Sequence, residues 1–100
     1  MKNNTDGSIT ILGKPYSVRY TDDEQTGGKS IMGAANRMSQ TIVLNKGCAT
    51  KQKNETLLHE ILHVIDGELI LGLSEESVAR IAVGLHSAGI RVRNPMRCKK

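Results

Sequence analysis

The residues with the clearest chemical potential are His59, Glu60 and His63, which stand in an H-E-x-x-H arrangement. An α-helix turns by about 100° per residue, so residues four apart project from one face about one turn apart. Two imidazoles at this spacing can bind one zinc ion at about 2.0–2.1 Å. Glu60 lies beside them, where its carboxylate can reach a water on the metal without being a ligand. The spacing therefore predicts a zinc site with Glu60 as general base.

The segment that carries this motif has the pattern of one amphipathic helix. Residues 51–66 contain neither Gly nor Pro, Gly67 is the expected stop, and Thr50 or Asn54 is the expected N-cap. The apolar residues occupy the arc opposite the histidines, so the helix is expected to bury that arc and present the motif to a cleft. They are Leu57, Leu58, Ile61, Val64 and Ile65.

A third metal ligand must come from elsewhere, because a catalytic zinc ion normally has three protein ligands. Glu75 and Glu76 begin a second predicted helix. Glu75 lies on the same stripe as Val78 and Ala82, which is expected to face the first helix, whereas Glu76 points about 100° away. We assign Glu75 as the ligand and keep Glu76 as the alternative. Acidic residues in a first turn are also explained by the helix dipole alone.

Four further residues have the chemistry of a ligand but a poorer position. Asp66 lies one turn beyond the motif and either orients a ligand or is an ordinary surface aspartate. His86 lies eleven residues beyond Glu75, about 16 Å along a helix, and is expected to be a satisfied or surface histidine. Cys48 is expected to be a small buried hydrophobe. Glu68 follows the helix too closely to return to the metal.

The first half of the chain has the patterns of strands and turns. Ser8–Leu12 and Tyr16–Tyr20 alternate around a Gly- and Pro-containing turn and predict a β-hairpin. Thr21–Ser30 has the composition of a loop. Ile31–Arg37 is ambiguous between a short strand and irregular structure, and Ser39–Asn45 predicts a third strand.

These elements predict an α+β fold. Ser74 is the expected N-cap of a helix from Glu75 to about Gly89. Its apolar stripe is formed by Val78, Ile81, Ala82 and Leu85. The expected architecture is a small antiparallel or mixed three-stranded sheet packed on the H-E-x-x-H helix and on the following glutamate helix. Residues 1–90 form this single domain, and residues 91–100 form a basic C-terminal tail.

Composition narrows the setting of the protein. The 100 residues are 38% hydrophobic and include no Phe or Trp, so the core must be aliphatic. No segment has the length and apolarity of a membrane span, Met1–Gly7 lacks a secretory signal, and two cysteines do not make a disulfide framework. We therefore expect a cytoplasmic protein. The basic tail is either a solvated terminus or a contact for an acidic partner or nucleic acid.

Residues 55–63 and 73–85, which contain the motif and the adjacent glutamates, resemble short phage and prophage zinc metallopeptidase-like proteins of the minimal gluzincin type. Residues 11–18 resemble the opening hairpin of that group. The resemblance implies that the two histidines and a glutamate of the second helix bind zinc, and that Glu60 is catalytic. It also implies a bacterial or phage-infected host cytoplasm. Residues 91–100 do not match the group.

The sequence thus predicts a zinc-dependent metallopeptidase that hydrolyses a peptide bond through a zinc-activated water. A peptide or protein substrate is expected to lie extended beside a sheet edge, for which the strand Thr41–Asn45 is the candidate. Tyr16 or Tyr20 either steadies the oxyanion or serves as a core or surface residue. The alternatives are a zinc-binding domain without turnover that acts through a protein partner, and a nucleic-acid-binding protein that uses the basic tail.

Overall fold

A computed structural model of the protein describes residues 7–21, 33–45 and 50–92. Most of the predicted loop Thr21–Ser30, together with Cys48 and residues 93–100 of the basic tail, lies outside this part of the chain. The elements in chain order are β1 (Gly7–Ile11), β2 (Lys14–Thr21), β3 (Gly33–Asn36), β4 (Thr41–Asn45), α1 (Thr50–Leu69) and α2 (Glu75–Ser87). None of the helices described is long and apolar enough to cross a membrane.

The four strands form one mixed sheet in the order β1-β2-β4-β3. β2 and β4 are parallel, and the two outer pairings are antiparallel. The α+β class and the hairpin are confirmed, but the prediction of three strands is wrong because part of the ambiguous segment Ile31–Arg37 forms β3. The candidate edge strand is also wrong: β4 lies between β2 and β3, so its backbone groups are paired on both sides.

One face of the sheet is apolar and packs against α1. Buried side chains alternate with exposed ones along β2, where Tyr16 and Val18 are buried and Ser17 is exposed. α1 contributes Leu57 and Val64 to the same core. Each buried aliphatic side chain stabilises the fold by about 1.5–3 kcal/mol, so this packing fixes α1 on the sheet. The rest of the core cluster is formed by Ile11, Ile42 and Leu44.

The second helix packs against α1 through its buried residues Val78 and Ala82. Ile81, predicted to belong to the same apolar stripe, is instead 39% exposed. It lies on the flank of the stripe, and a helix that packs against a single partner buries a narrower arc than the sequence pattern suggests. The layers are therefore the sheet, then α1, then α2.

The prediction that α1 stops at Gly67 is wrong, since the helix continues to Leu69. A β-carbon at Gly67 would lie 2.9 Å from Cζ of Arg37, so the glycine makes room for that side chain inside the helix. Nη1 of Arg37 lies 3.6 Å from Oε2 of Glu68. The chain leaves the helix at Ile70, which has a left-handed φ of 52°.

Asn54, a candidate N-cap, lies inside α1 and binds the segment that follows α2. Its Oδ1 accepts a hydrogen bond from Val92 N at 2.9 Å, and its Nδ2 donates to Ile90 O at 3.0 Å. The same Nδ2 lies 2.9 Å from Nδ1 of His86, which is therefore a satisfied histidine, as predicted. The N-cap prediction fails for Asn54 because α1 already begins at Thr50.

Two glycines give opposite predictions for the same substitution. At Gly33, a β-carbon would lie 2.9 Å from Val43 O and 3.2 Å from Cγ2 of Thr56, so Gly33→Ala should destabilise the fold by about 1–3 kcal/mol through overpacking. At Gly84, within α2, nothing lies within 4 Å, so Gly84→Ala should stabilise it by about 0.5–1 kcal/mol. Urea denaturation of both variants measures the difference, and equal effects would contradict the packing of β3 on α1.

Candidate metal centre

The two histidines of the motif lie on the face of α1 that meets α2. Their Nε2 atoms are 3.2 Å apart, and their ring centroids are 4.8 Å apart. The side chains of His59 and His63 are 21% and 35% exposed. This arrangement follows from the four-residue spacing, because the opposite arc of α1 is held by the sheet. The histidines are thereby held away from the apolar core between α1 and the sheet.

Glu75 contributes a carboxylate that contacts both rings. Its Oε2 lies 2.8 Å from Nε2 of His59, and its Oε1 lies 2.8 Å from Nε2 of His63. The residue is the first of α2, whose N-cap Ser74 accepts a hydrogen bond from Ser77 N. Because Glu75 shares the stripe that packs against α1, its carboxylate points towards the histidines.

The adjacent glutamate points away from this cluster. Oε2 of Glu76 lies 2.7 Å from Nη2 of Arg80, one turn further along α2, in an exposed ion pair. The structure therefore brings Glu75, and not Glu76, to the two histidines. The choice that the helical period favours agrees with this geometry.

The three side chains have the donor set and the separation of a metal site. One ligand atom from each of His59, His63 and Glu75 lies within 4.8 Å of the others. Two ligands of a tetrahedral zinc ion at 2.0–2.1 Å are about 3.3 Å apart, close to the 3.2 Å between the two Nε2 atoms. The 2.8 Å contacts of Glu75 are those of direct hydrogen bonds, so the same residues also form a closed hydrogen-bonded cluster. This group could hold a metal ion.

Glu60 is the one charged side chain that is buried among the residues described, at 7% exposure. Its burial raises the pKa of the Glu60 carboxyl above the ordinary value. Coulomb interactions with His59 and His63 lower this pKa in part, and the charge of Glu75 raises it. Glu60 is therefore electrostatically part of the cluster. Burial of a charged carboxylate is energetically costly unless a partner compensates for it.

Asp66 and Glu68, the two carboxylates in the last turn of α1, bind other parts of the molecule. Oδ1 of Asp66 accepts a hydrogen bond from Leu73 N at 2.9 Å, so this residue, predicted either to orient a metal ligand or to be a surface aspartate, holds the α1–α2 link. Glu68 lies 3.2 Å from Nζ of Lys14, and this hydrogen bond lowers the pKa of the Glu68 carboxyl. As the sequence predicts, Glu68 does not join the metal-binding group. No sequence signal distinguished the link-binding role of Asp66.

The two tyrosines considered for the oxyanion lie in the core and at a contact between α1 and β2. Tyr16 is fully buried in the core, and its hydroxyl has no hydrogen-bond partner among the residues described. Nζ of Lys53 lies 4.8 Å from the ring centroid of Tyr20, a cation–π contact between α1 and β2. Both positions fit the core or surface roles that the sequence left open for them.

Comparisons of the chain with models of known protein families, with curated proteins and with solved structures find no match. The case for a metal centre therefore rests on the geometry of His59, His63 and Glu75 and on the burial of Glu60.

The two adjacent glutamates offer a matched test of the metal centre. Glu75→Gln removes the charged ligand and should weaken zinc binding by at least about tenfold, the effect expected even for an outer partner of a metal site. Glu76→Gln removes the same charge one residue away and should bind zinc as the wild type does. Competition titration with a chromophoric chelator measures both. Equal affinity in the two variants would contradict the assignment.

Proposed function

We propose that the protein is a zinc-dependent metallopeptidase that hydrolyses a peptide bond. The observation that carries the proposal is the approach of the Glu75 carboxylate to both histidines of the H-E-x-x-H motif. Two imidazole nitrogens and one carboxylate oxygen are a donor set of catalytic zinc sites, which keep a further position open for water or substrate. The exposure of Glu75, at 68%, leaves room for a substrate to approach.

The residues of the chain divide the chemistry between them. His59, His63 and Glu75 would hold the metal. When bound, zinc supplies a Lewis acid that activates a water molecule and polarises the scissile carbonyl. Glu60 takes the proton from the attacking water and passes it to the leaving amide nitrogen. The burial that raises the pKa of Glu60 suits this role, because the carboxyl must both accept and release a proton.

The outer edge of β3 is the proposed binding site for an extended substrate. This strand pairs with β4 on one side, and no described strand covers its other side. Gly33 approaches Thr56, one turn before the motif, and Arg37 packs at Gly67, one turn after it. The helix rises about 16 Å between those two residues, and the strand rises about 13 Å from residue 33 to residue 37. β3 therefore runs alongside the motif, and a peptide that pairs with its edge would pass the metal-binding group.

Glu60→Gln separates catalysis from metal binding. The variant should retain zinc, because Glu60 is not a ligand, and should lose peptide cleavage by about 10²–10⁴-fold, the usual contribution of a general base. Glu76→Gln is the matched control and should keep both properties. Zinc affinity and cleavage of a fluorogenic peptide library measure the two effects. Full activity in Glu60→Gln would remove the mechanism.

Wild-type protein that binds zinc but cleaves no peptide in such a library would favour the alternative function, a zinc-binding domain that acts through a protein partner. No observation on residues 7–21, 33–45 and 50–92 supports the alternative of a nucleic-acid-binding protein that uses the basic tail. Residues 93–100 of the tail lie outside the described part of the chain.

Proline substitutions test the substrate edge. Along an antiparallel strand, N–H groups point alternately to the partner strand and away from it, so one of Ala34 and Ala35 directs its N–H outwards. Proline at that position spares the pairing with β4 and should raise KM with little change in stability. Proline at the other position should destabilise the fold. Valine at each position keeps the N–H and is the control. An unchanged KM in the stable proline variant would contradict binding at β3.

A further inference from the structure

The link between α1 and α2 is short, and the backbone preferences of its residues do not favour the conformation that it adopts. Residues 70–74 reverse the chain, and two of them, Ile70 and Gly72, have positive φ values of 52° and 74°. A left-handed conformation suits glycine but is sterically disfavoured for a β-branched residue. Ile70 is also 87% exposed, so burial of its side chain does not compensate for the strain. Some other interaction must keep the link in this shape.

Asp66 supplies two such interactions from the last turns of α1. Its backbone oxygen accepts a hydrogen bond from Leu71 N at 3.0 Å, and its Oδ1 accepts one from Leu73 N at 2.9 Å. The two contacts lie on either side of Gly72. The next residue, Ser74, caps α2, and Glu75 follows it. Asp66 therefore fixes the direction in which the chain enters α2.

The position of Asp66 in the helix also calls for an explanation. The last turn of α1 contains two acidic residues and no basic one, although the dipole disfavours negative charge at a helix C-terminus. Glu68 is compensated by Lys14 and Arg37. For Asp66 the compensation in the structure is the N–H of Leu73. The same contact explains both the acidic residue and the shape of the link.

Of the three candidate ligands, Glu75 depends most on such a contact. The two histidines share one helix, so their separation is set by helical geometry. Glu75 belongs to another element, and its side chain is 68% exposed, so little packing besides the two histidine contacts holds it in place. Its distance from the histidines depends on where α2 begins, which the link decides.

We propose that Asp66 is a positioning residue for Glu75, and that it thereby sets the affinity of the cluster for a divalent metal ion. Asp66 acts through the backbone of the link and does not touch the metal. The binding of a metal ion by this cluster rests on the proposed function, whereas the effect of Asp66 on the link does not.

Two substitutions at Asp66 separate positioning from charge. Asp66→Asn keeps the Oδ1 acceptor but removes the charge, and Asp66→Ala removes both. Positioning predicts that Asp66→Ala lowers zinc affinity by about tenfold or more, the usual effect of a supporting residue, while Asp66→Asn stays close to wild type. Chelator competition with zinc measures the affinity. Hydrogen exchange of the Leu73 amide, followed in zinc-free protein, should be faster in Asp66→Ala and unchanged in Asp66→Asn.

Glu68→Ala is the control for a general loss of stability. It removes a carboxylate two residues further along α1 that binds Lys14 and Arg37 and not the link. It should lower the melting temperature and leave zinc affinity unchanged. The proposal would be overturned by wild-type affinity in Asp66→Ala, by an equal loss in Asp66→Asn, or by an equal loss in Glu68→Ala. Wild-type protein that binds no zinc would overturn the proposed function instead, and the exchange rate of Leu73 would still decide whether Asp66 holds the link.

Discussion

The arrangement of the site depends on the burial of one arc of α1 against the apolar face of the sheet. Leu57 and Val64 enter the core formed by the inward side chains of β1, β2 and β4. Because a helix is a rigid cylinder, fixing this arc also fixes the opposite one, which carries His59 and His63. The second helix packs against α1 through its apolar stripe. Glu75 lies on that stripe and therefore meets the histidines.

The same fold contains several features that carry an energetic cost. Glu60 is a buried carboxylate, Ile70 has a disfavoured backbone conformation, and Leu69, Ile70 and Leu71 leave more than half of their side chains exposed. A 100-residue domain has a modest core with which to offset such costs. Similar features occur elsewhere in the described chain, since Leu12 and Gln40 also have left-handed φ values and Met38 is 92% exposed.

The parts of the site that local periodicity determines could be predicted from the sequence. The spacing of His59 and His63 and the stripe of α2 both follow from 3.6 residues per turn, which is why Glu75 and not Glu76 meets the histidines. Strand order could not be predicted, since it depends on contacts distant in sequence, and β4 proved to be central. β3 was ambiguous because Gly-Ala-Ala-Asn contains no β-branched or aromatic residue. Gly67 looked like a helix stop because its partner, Arg37, lies thirty residues earlier.

Peptide cleavage measured during a zinc titration distinguishes a zinc peptidase from a zinc-binding domain without turnover. Zinc-free protein would be mixed with increasing zinc, and cleavage of a peptide library would be followed at each ratio. We expect cleavage to rise to a plateau at about one zinc ion per chain, as one cluster of three protein ligands implies, and a chelator to abolish it. Full occupancy of the site without cleavage would contradict the peptidase, and failure to bind zinc at all would contradict the metal centre.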